Sequence, residues 1–157
     1  MSGALRLLRH DRALTAVSVL LDVAFHAGRG GQVVGGAEVA ERLGAARRGI
    51  EPVFQALSRA GLLDSVRGPR GGYRLGRRAR DIRLSEVVAA VADGAEPPDP
   101  AGGFDGPLHG KVVAPLWADL DAALRERLEA LTLDDLLKRA ATAGLTRPAT
   151  EPVNFAI

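Results

Sequence analysis

The sequence predicts a mainly α-helical protein with one small β-hairpin and a long helix near its C-terminus. Two short segments with apolar residues at helical spacing, residues 37–43 and 47–60, are separated by a turn that contains Gly44. Two short apolar strands follow them, joined by a Gly/Pro tip that is rich in arginine. A helix pair followed by a basic hairpin is typical of the winged helix-turn-helix fold, and a leucine stripe after residue 111 indicates the long helix.

The composition is that of one compact domain, or of a small domain with a helical arm. The 157 residues are 46% hydrophobic and 25% charged, and none is a cysteine. Without thiols the chain cannot form disulfides, zinc ribbons or cysteine-ligated clusters. Asp22 and His26 interrupt the most apolar stretch, and the N-terminus has no signal pattern. We therefore expect a cytoplasmic protein that does not contact a membrane.

Charge is unevenly distributed along the chain. Residues 1–93 carry 15 Arg and Lys against 9 Asp and Glu, whereas residues 94–157 carry 6 against 10. A basic front part favours a polyanion as its partner. A GC-rich genome would also explain why 19 of the basic residues are arginine, but it does not explain why they cluster.

The N-terminal third predicts three helices. The first covers residues 11–27, with a predicted inward face of Leu14, Val17, Leu21 and Ala24. A glycine-rich turn with a short extended segment at Val33 and Val34 follows it. The second and third helices cover residues 37–43 and 47–60. Their predicted inward faces are Val39, Ala40 and Leu43 in the second, and Ile50, Val53, Phe54 and Leu57 in the third.

The third helix contains two poor helix formers, Gly49 and Pro52. Glycine costs about 1 kcal/mol relative to alanine, and an interior proline costs about 3 kcal/mol because it lacks an N–H and meets a carbonyl of the preceding turn. That cost nearly vanishes when proline lies in the first turn. We therefore expect this helix to begin near Gly49 or to be kinked.

Arginine is concentrated in the predicted hairpin and in the segment after it. Strands are predicted at residues 62–66 and 73–75, with an intervening Gly/Pro tip. Residues 67–83 contain seven arginines and one acid, Asp81. Because like charges at this density repel one another, we expect phosphate to supply the counter-charge.

The C-terminal part predicts a loop between helices. A short helix over residues 84–92 precedes residues 94–110, whose five glycines and four prolines argue against regular structure. From residue 111 a leucine stripe favours pairing with a second copy over packing on its own domain. A last helix begins with a cap at Thr132 and ends near Gly144, and we expect the tail from Thr146 to be loose.

The expected organisation therefore has four parts. Residues 1–93 form a winged helix-turn-helix domain, and residues 94–110 form a loop. Residues 111–144 contain a dimerisation helix and a terminal helix, and residues 145–157 form a tail.

Two strings, RRGIEPVFQALSRAGLL at residues 47–63 and SVRGPRGGYRLGR at residues 65–77, resemble the Rrf2 family of winged-helix transcription regulators. The wing string RGPxGGYxL is the most specific, and the resemblance extends over residues 8–140. It implies a dimer whose third helix enters the major groove of DNA while the wing reaches a neighbouring minor groove.

The resemblance also implies residue roles by position. Those in the recognition helix are Arg47, Arg48, Glu51 and Gln55, whose side chains suit guanine, cytosine and adenine edges. Those in the wing and its flank are Arg67, Arg70, Tyr73, Arg74, Arg77 and Arg78, suited to a narrow minor groove and to phosphates. The leucine stripe itself, not the resemblance, predicts the dimer interface, which would consist of Leu116, Trp117, Leu120, Leu124 and Leu128.

The sequence departs from the family pattern at its sensing loop. Cluster-binding members carry three cysteines before the long helix, whereas residues 94–110 here read GAEPPDPAGGFDGPLHG. Because iron–sulfur clusters need thiolate ligands, we expect no cofactor. Asp99, Asp105 and His109 have the chemistry of hard-metal ligands, but a solvated loop is the favoured interpretation and no metal site is predicted.

The sequence thus predicts a homodimeric, sequence-specific DNA-binding regulator, most simply a repressor that occludes a near-palindromic operator. Two alternatives stay open. In the first, DNA binding is conditional on an unknown small molecule or protein partner. In the second, the chain is an adaptor that does not bind DNA, because Gly49 replaces the family's usual tyrosine. An enzyme is not supported, because no nucleophile elbow or Walker lysine occurs.

Overall fold

The fold, seen in a computed structural model that describes residues 10–28, 31–45, 47–92 and 105–148, combines helices with one hairpin. The α-helices in these ranges are α1 (His10–Ala27), α2 (Gly36–Leu43), α3 (Arg47–Arg59), α4 (Leu84–Ala92), α5 (Ala114–Ala130) and α6 (Leu133–Thr142). The strands are β1 (Leu63–Val66) and β2 (Gly72–Leu75). The predicted fold class, mainly helical with a small hairpin followed by a long helix, is confirmed.

Helices α1, α2, α3 and α4 and the start of α6 share one apolar core. Helix α1 lies at its centre and contacts α2, α3, α4, α6 and β2. Leu133 of α6 is fully buried in this same core, so the terminal helix packs against the N-terminal part of the chain.

Of the predicted inward residues of α1, only Ala24 is buried. Leu14 is 54% exposed, and Val17 and Leu21 are only half-buried. The buried stripe instead consists of Ala13, Ala16, Val19, Leu20, Val23, Ala24 and Ala27. Small alanine side chains let several neighbouring elements approach this helix closely. Leu20 is buried among them, whereas Leu14 and Leu21 lie at the edge of the stripe. Leu43 of α2 was likewise expected inward but is exposed.

Helix α3 begins at Arg47, not near Gly49 as expected, and contains Pro52 in its interior. The four predicted core positions, Ile50, Val53, Phe54 and Leu57, are all buried. Pro52 lies on the exposed side of the helix. Water can therefore hydrate the carbonyl that lost its N–H partner, and the packed apolar face compensates for the cost of the proline.

The hairpin is antiparallel, and its register pairs Leu63 with Leu75 and Val66 with Gly72. The predicted extended segment before α2 forms a single bridge to the hairpin, in which the N–H groups of Val34 and Tyr73 each donate to the other residue's carbonyl at 2.8 Å. This bridge fixes the wing to the chain that enters the helix-turn-helix.

The long helical region starts earlier than the sequence predicted. Residues 107–110 were assigned to a loop, but Pro107 and Leu108 are helical and lead into a π-helical turn at His109–Val113 that runs directly into α5. Proline is well suited to the first position of a helix, which explains why its presence did not prevent helix formation here.

Helices α5 and α6 are joined by a short segment that pairs with the start of α4. Arg83 and Thr132 form an antiparallel bridge, and the N–H of Leu133 donates to the Ile82 carbonyl at 2.9 Å. Thr132 caps α6 as predicted, exchanging hydrogen bonds with Asp135. Residues 149–157 of the predicted loose tail lie outside the described residues. Before them, Arg147 donates to the Ala24 carbonyl at 2.8 Å near the end of α1.

Candidate nucleic-acid interface

Helix α3 presents a polar surface because its apolar face is fully used by the core. Glu51, Gln55 and Arg59 are exposed, and Glu51 and Gln55 lie one helical turn apart. The predicted base contacts Glu51 and Gln55 therefore lie on one exposed face. Arg47 and Arg48 are the first two residues of this helix, and their side chains fall outside what the structure describes.

Helix α2 is held against α1 by a bidentate ion pair between Arg42 and Asp22. The Arg42 guanidinium donates to both Asp22 carboxylate oxygens, with Nη2 at 2.7 Å from Oδ1 and Nε at 3.0 Å from Oδ2. These hydrogen bonds are the main reason that the pKa of Arg42 is raised. Gly44, with a left-handed φ of 62°, ends the helix and starts the turn towards α3.

Tyr73 lies at the junction of the wing and α3. Its ring stacks on Phe54 of α3 with centroids 4.3 Å apart and an interplanar angle of 9°. Gly36, the first residue of α2, borders the same ring, since a Cβ there would lie 3.2 Å from it. Burial, and then the charge of Glu51, raises the pKa of the Tyr73 phenol. Sequence reasoning proposed Tyr73 as a DNA contact and missed this packing.

The close approach of backbones explains the glycines of the wing string. A Cβ on Gly72 would lie 2.3 Å from the Val34 carbonyl oxygen, and one on Gly76 would lie 2.2 Å from that of Gly61. Gly68 at the tip has a φ of 116°, which side chains disfavour. These positions therefore require glycine. They allow the backbone of the wing to approach Val34 and Gly61 closely and to turn at the tip.

The arginines of the wing and its flank fall into two groups. Within the described ranges, no carboxylate lies within 4.0 Å of the guanidinium groups of Arg67, Arg70 and Arg78. By contrast, Arg74 lies 3.9 Å from Asp64, and Arg77 donates to Glu86 at 3.0 Å. The first group leaves its charge available to an external anion, whereas Arg77 already has a counter-charge.

The long helix exposes apolar side chains near its start. Of the predicted interface residues, Leu116 and Trp117 are 50% and 47% exposed, whereas Leu120, Leu124 and Leu128 are half-buried. The exposed stretch also includes Leu108, which was assigned to a loop, and Val112 and Val113, which the leucine stripe did not include. We call Leu108, Val112, Val113, Leu116 and Trp117 the apolar face. No helix in the described ranges is long and apolar enough to span a bilayer.

The donor atoms do not fit an iron–sulfur cluster. The chain has no cysteine and so offers no thiolate. Of the three residues considered as hard-metal ligands, Asp99 lies outside the described residues, and Asp105 is exposed. Among the described residues, no three His, Asp or Glu side chains come together as a metal site would require.

A helix-turn-helix packed against a wing whose tip arginines have no carboxylate partner in the part of the chain that the structure describes is typical of a winged-helix DNA-binding protein. The family model Rrf2, described as an iron-dependent transcriptional regulator, matches residues 10–139. This chain belongs to the Rrf2 family of transcription regulators, which are not enzymes, and the resemblance stated from the sequence is confirmed.

Curated relatives and solved structures agree with this assignment. The chain is 38% identical over 124 residues to the HTH-type transcriptional regulator IscR of Vibrio atlanticus, covering 78% of this chain and 70% of that protein. It is 37% identical over 134 residues to the putative HTH-type transcriptional regulator ORF2 of Azotobacter vinelandii, covering 84% and 80%. The structure of T. potens IscR matches with a TM-score of 0.68 and 30% identity, over 87% of this chain and 90% of that one. CymR of B. subtilis, at 23% identity and a TM-score of 0.63 over 82% and 94%, supports the fold alone.

Proposed function

We propose that this regulator binds a near-palindromic operator as a homodimer, represses transcription by occluding the polymerase, and does so without an iron–sulfur cluster. The observation that supports DNA binding most directly is a set of arginines in the wing and its flank, Arg67, Arg70 and Arg78, that have no carboxylate partner among the described residues. The exposed polar face of α3 is the second observation. Phosphate groups would release counter-ions on contact with these arginine side chains, which gives affinity that depends on salt.

Base selection is assigned to the exposed face of α3. Gln55 is suited to adenine and Glu51 to the cytosine amino group, and their spacing of one turn would let them address neighbouring base pairs. Arg47 and Arg48 at the start of the helix are proposed to contact guanine. The bases are thus addressed from α3, while the wing supplies phosphate and minor-groove contacts.

Two substitutions separate these roles. Gln55→Ala should cost about 1–3 kcal/mol on the operator and relax preference at one base pair of each half-site. Arg70→Ala should weaken binding to all sequences and lower the slope of log affinity against log salt by about 1 per contact. Fluorescence anisotropy on operator and scrambled duplexes at several salt concentrations measures both effects. Equal loss on every duplex for both variants would contradict the assignment of Gln55 to base contacts.

The apolar face supports a homodimer. Five large apolar side chains within ten residues lie at least 40% exposed, which is unusual for a surface that remains in water. Pairing with a second copy would bury them and would place two recognition helices on one side of the duplex, as a palindromic site needs.

The dimer is tested by a charge introduced into the apolar face. Trp117→Glu should shift the protein from dimer to monomer in sedimentation-velocity runs at micromolar concentration. Leu145→Glu is the matched control, because Leu145 is 60% exposed but lies outside this face. A wild-type monomer, or a Trp117→Glu dimer as tight as the wild type, would refute dimerisation through this face.

The same apolar face favours one second candidate, a regulator whose DNA binding depends on a protein partner or a small apolar ligand. In that case purified protein would bind its operator weakly until the partner is added. A monomeric wild type that binds DNA poorly would favour this candidate over the cluster-independent repressor.

A further inference from the structure

Glu86, in the first turn of α4, is the point where the wing's flank and α4 meet. Its Oε1 accepts a hydrogen bond from Nη2 of Arg77 at 3.0 Å, and its Oε2 accepts one from the backbone N–H of Arg83 at 3.0 Å. The Arg83 hydrogen bond is the main cause of the lowered pKa of Glu86. Arg77 also donates to the Asp81 carbonyl at 3.4 Å, which closes the chain between the wing and α4.

Arg83 continues the connection from Glu86 to the long helix. Its Nη1 donates to the carbonyl of Glu129 at 2.7 Å, in the last turn of α5. On either side of it, the Leu84 N–H donates to the Leu131 carbonyl and the Leu133 N–H to the Ile82 carbonyl, both at 2.9 Å. The wing's flank, the start of α4 and the end of α5 are therefore linked through one carboxylate and one arginine.

We propose that Glu86 is a positioning residue for DNA binding: by holding Arg77 and the start of α4, it fixes the direction in which the wing leaves the domain. This inference rests on the proposed function and assigns to Arg77 a role different from the phosphate contact that the sequence suggested. Glu86 acts through the wing and does not itself contact DNA.

Loss of the Glu86 charge and loss of its hydrogen bonds predict opposite changes in DNA affinity. An acid close to a polyanion-binding surface repels phosphate, so its loss should strengthen binding if charge alone matters. If Glu86 positions the wing, its loss frees the wing's flank and weakens binding. A single exposed ion pair contributes little, but here two hydrogen bonds converge on the same carboxylate.

The test measures DNA affinity of the full chain by fluorescence anisotropy. Glu86→Ala should weaken operator binding about three- to tenfold without changing the salt slope, because no phosphate contact is lost. Glu86→Gln, which keeps one of the two acceptor oxygens, should lie closer to the wild type. Asp64→Ala is the matched control, since it removes one negative charge of the wing and should bind equally well or more tightly.

Arg77→Ala completes a double-mutant cycle. The losses from Arg77→Ala and Glu86→Ala should be non-additive, with the double variant no weaker than the weaker single variant. Tighter binding by Glu86→Ala, identical behaviour of Glu86→Ala and Glu86→Gln, or a salt slope lowered by about 1 in Arg77→Ala would overturn the proposal.

A measurement without DNA separates this inference from the proposed function. Amide hydrogen exchange of the folded Glu86→Ala variant should be faster than wild type in β2 and at Leu84 and Leu133, and unchanged in α2. If wild-type protein bound no DNA, the proposed function would fail, but faster exchange confined to these amides would still support the positioning role. Unchanged exchange at β2 would overturn it.

Discussion

Tyr73 shows how a single side chain can hold the wing against α3. Its ring is stacked on Phe54 of α3, its backbone pairs with Val34, and Gly36 leaves room for its edge. The wing and α3 are therefore held in fixed relation by aromatic packing, whatever the phenol contributes to DNA contact.

Removal of the Tyr73 ring should destabilise the domain. Tyr73→Ala loses the stacked contact and part of a half-buried apolar surface, so the free energy of unfolding should fall by about 2 kcal/mol. Tyr73→Phe keeps the ring and should stay within about 0.5 kcal/mol of the wild type. Urea unfolding followed by circular dichroism measures both. An equal loss in the two variants would show that the hydroxyl, not the ring, stabilises the fold.

The capping carboxylate of α6 makes stability depend on pH. The backbone N–H and hydroxyl of Thr132 lower the pKa of Asp135 in the folded state, with the backbone N–H contributing most. A carboxylate with a lowered folded pKa stabilises the protein above its unfolded pKa of about 3.9, and this contribution disappears as the pH falls through the folded pKa.

Asp135→Asn should therefore flatten the acid dependence of stability. Between about pH 5 and pH 3, the urea midpoint should fall less in Asp135→Asn than in the wild type. Asp119→Asn on α5 serves as the control for loss of one acidic charge and should retain the wild-type dependence. The interpretation would be refuted if Asp135→Asn lost stability as steeply as the wild type over this range.

At the scale of single residues, the sequence predicted exposed polar positions and a helix cap better than it predicted contacts between distant side chains. The exposed polar positions of α3 and the Thr132 cap followed from helix periodicity and capping preferences. The Glu86 contacts with Arg77 and Arg83, and the Arg147 contact with α1, join residues that approach only when the chain is folded. No local pattern indicates which of several arginines will have a carboxylate nearby.

Two glycines, Gly72 in β2 and Gly49 in α3, should respond in opposite ways to substitution by alanine. A Cβ on Gly72 in β2 would overlap the Val34 carbonyl, whereas a Cβ on Gly49 in α3 would meet no atom within 4 Å. Gly72→Ala should therefore destabilise by about 1–3 kcal/mol, as overpacking does. Gly49→Ala should stabilise by about 0.5–1 kcal/mol because alanine favours the helix. Thermal unfolding of both variants tests this, and a destabilised Gly49→Ala would show that the helix start is not free of constraint.

The presence and order of the helices and strands followed from the sequence. The buried face of α1 and the residues at which α3 and the long helical region begin did not. Periodicity located α3 and its buried face, but it placed Leu14 inward because apolar residues on α1 occur on more than one side. Proline and glycine counts assigned residues 107–110 to a loop, although Pro107 is compatible with a helix start. The start of α3 at Arg47 shows that packing of its apolar face outweighs the preference of Pro52 for the first turn.

At the scale of the whole molecule, charge and apolar surface lie at different places. Arg67, Arg70 and Arg78 of the wing and its flank have no carboxylate partner within the described ranges, whereas the apolar face lies on the long helix beyond the core. One surface suits a polyanion and the other suits an apolar partner, so DNA binding and assembly are proposed to use separate surfaces of the same chain. Variants of the apolar face should therefore lose symmetric operator binding while keeping weak, salt-dependent binding to any duplex.

The central claim is that this member of the Rrf2 family binds DNA specifically without a cluster. The most direct test is fluorescence anisotropy of metal-free, chelator-treated protein with the intergenic DNA upstream of its own coding sequence and with a scrambled duplex, at two salt concentrations. We expect salt-sensitive binding that favours the native DNA by about tenfold or more, the low end of the discrimination typical of regulators. Equal binding to both duplexes, or no binding to either, would contradict the claim.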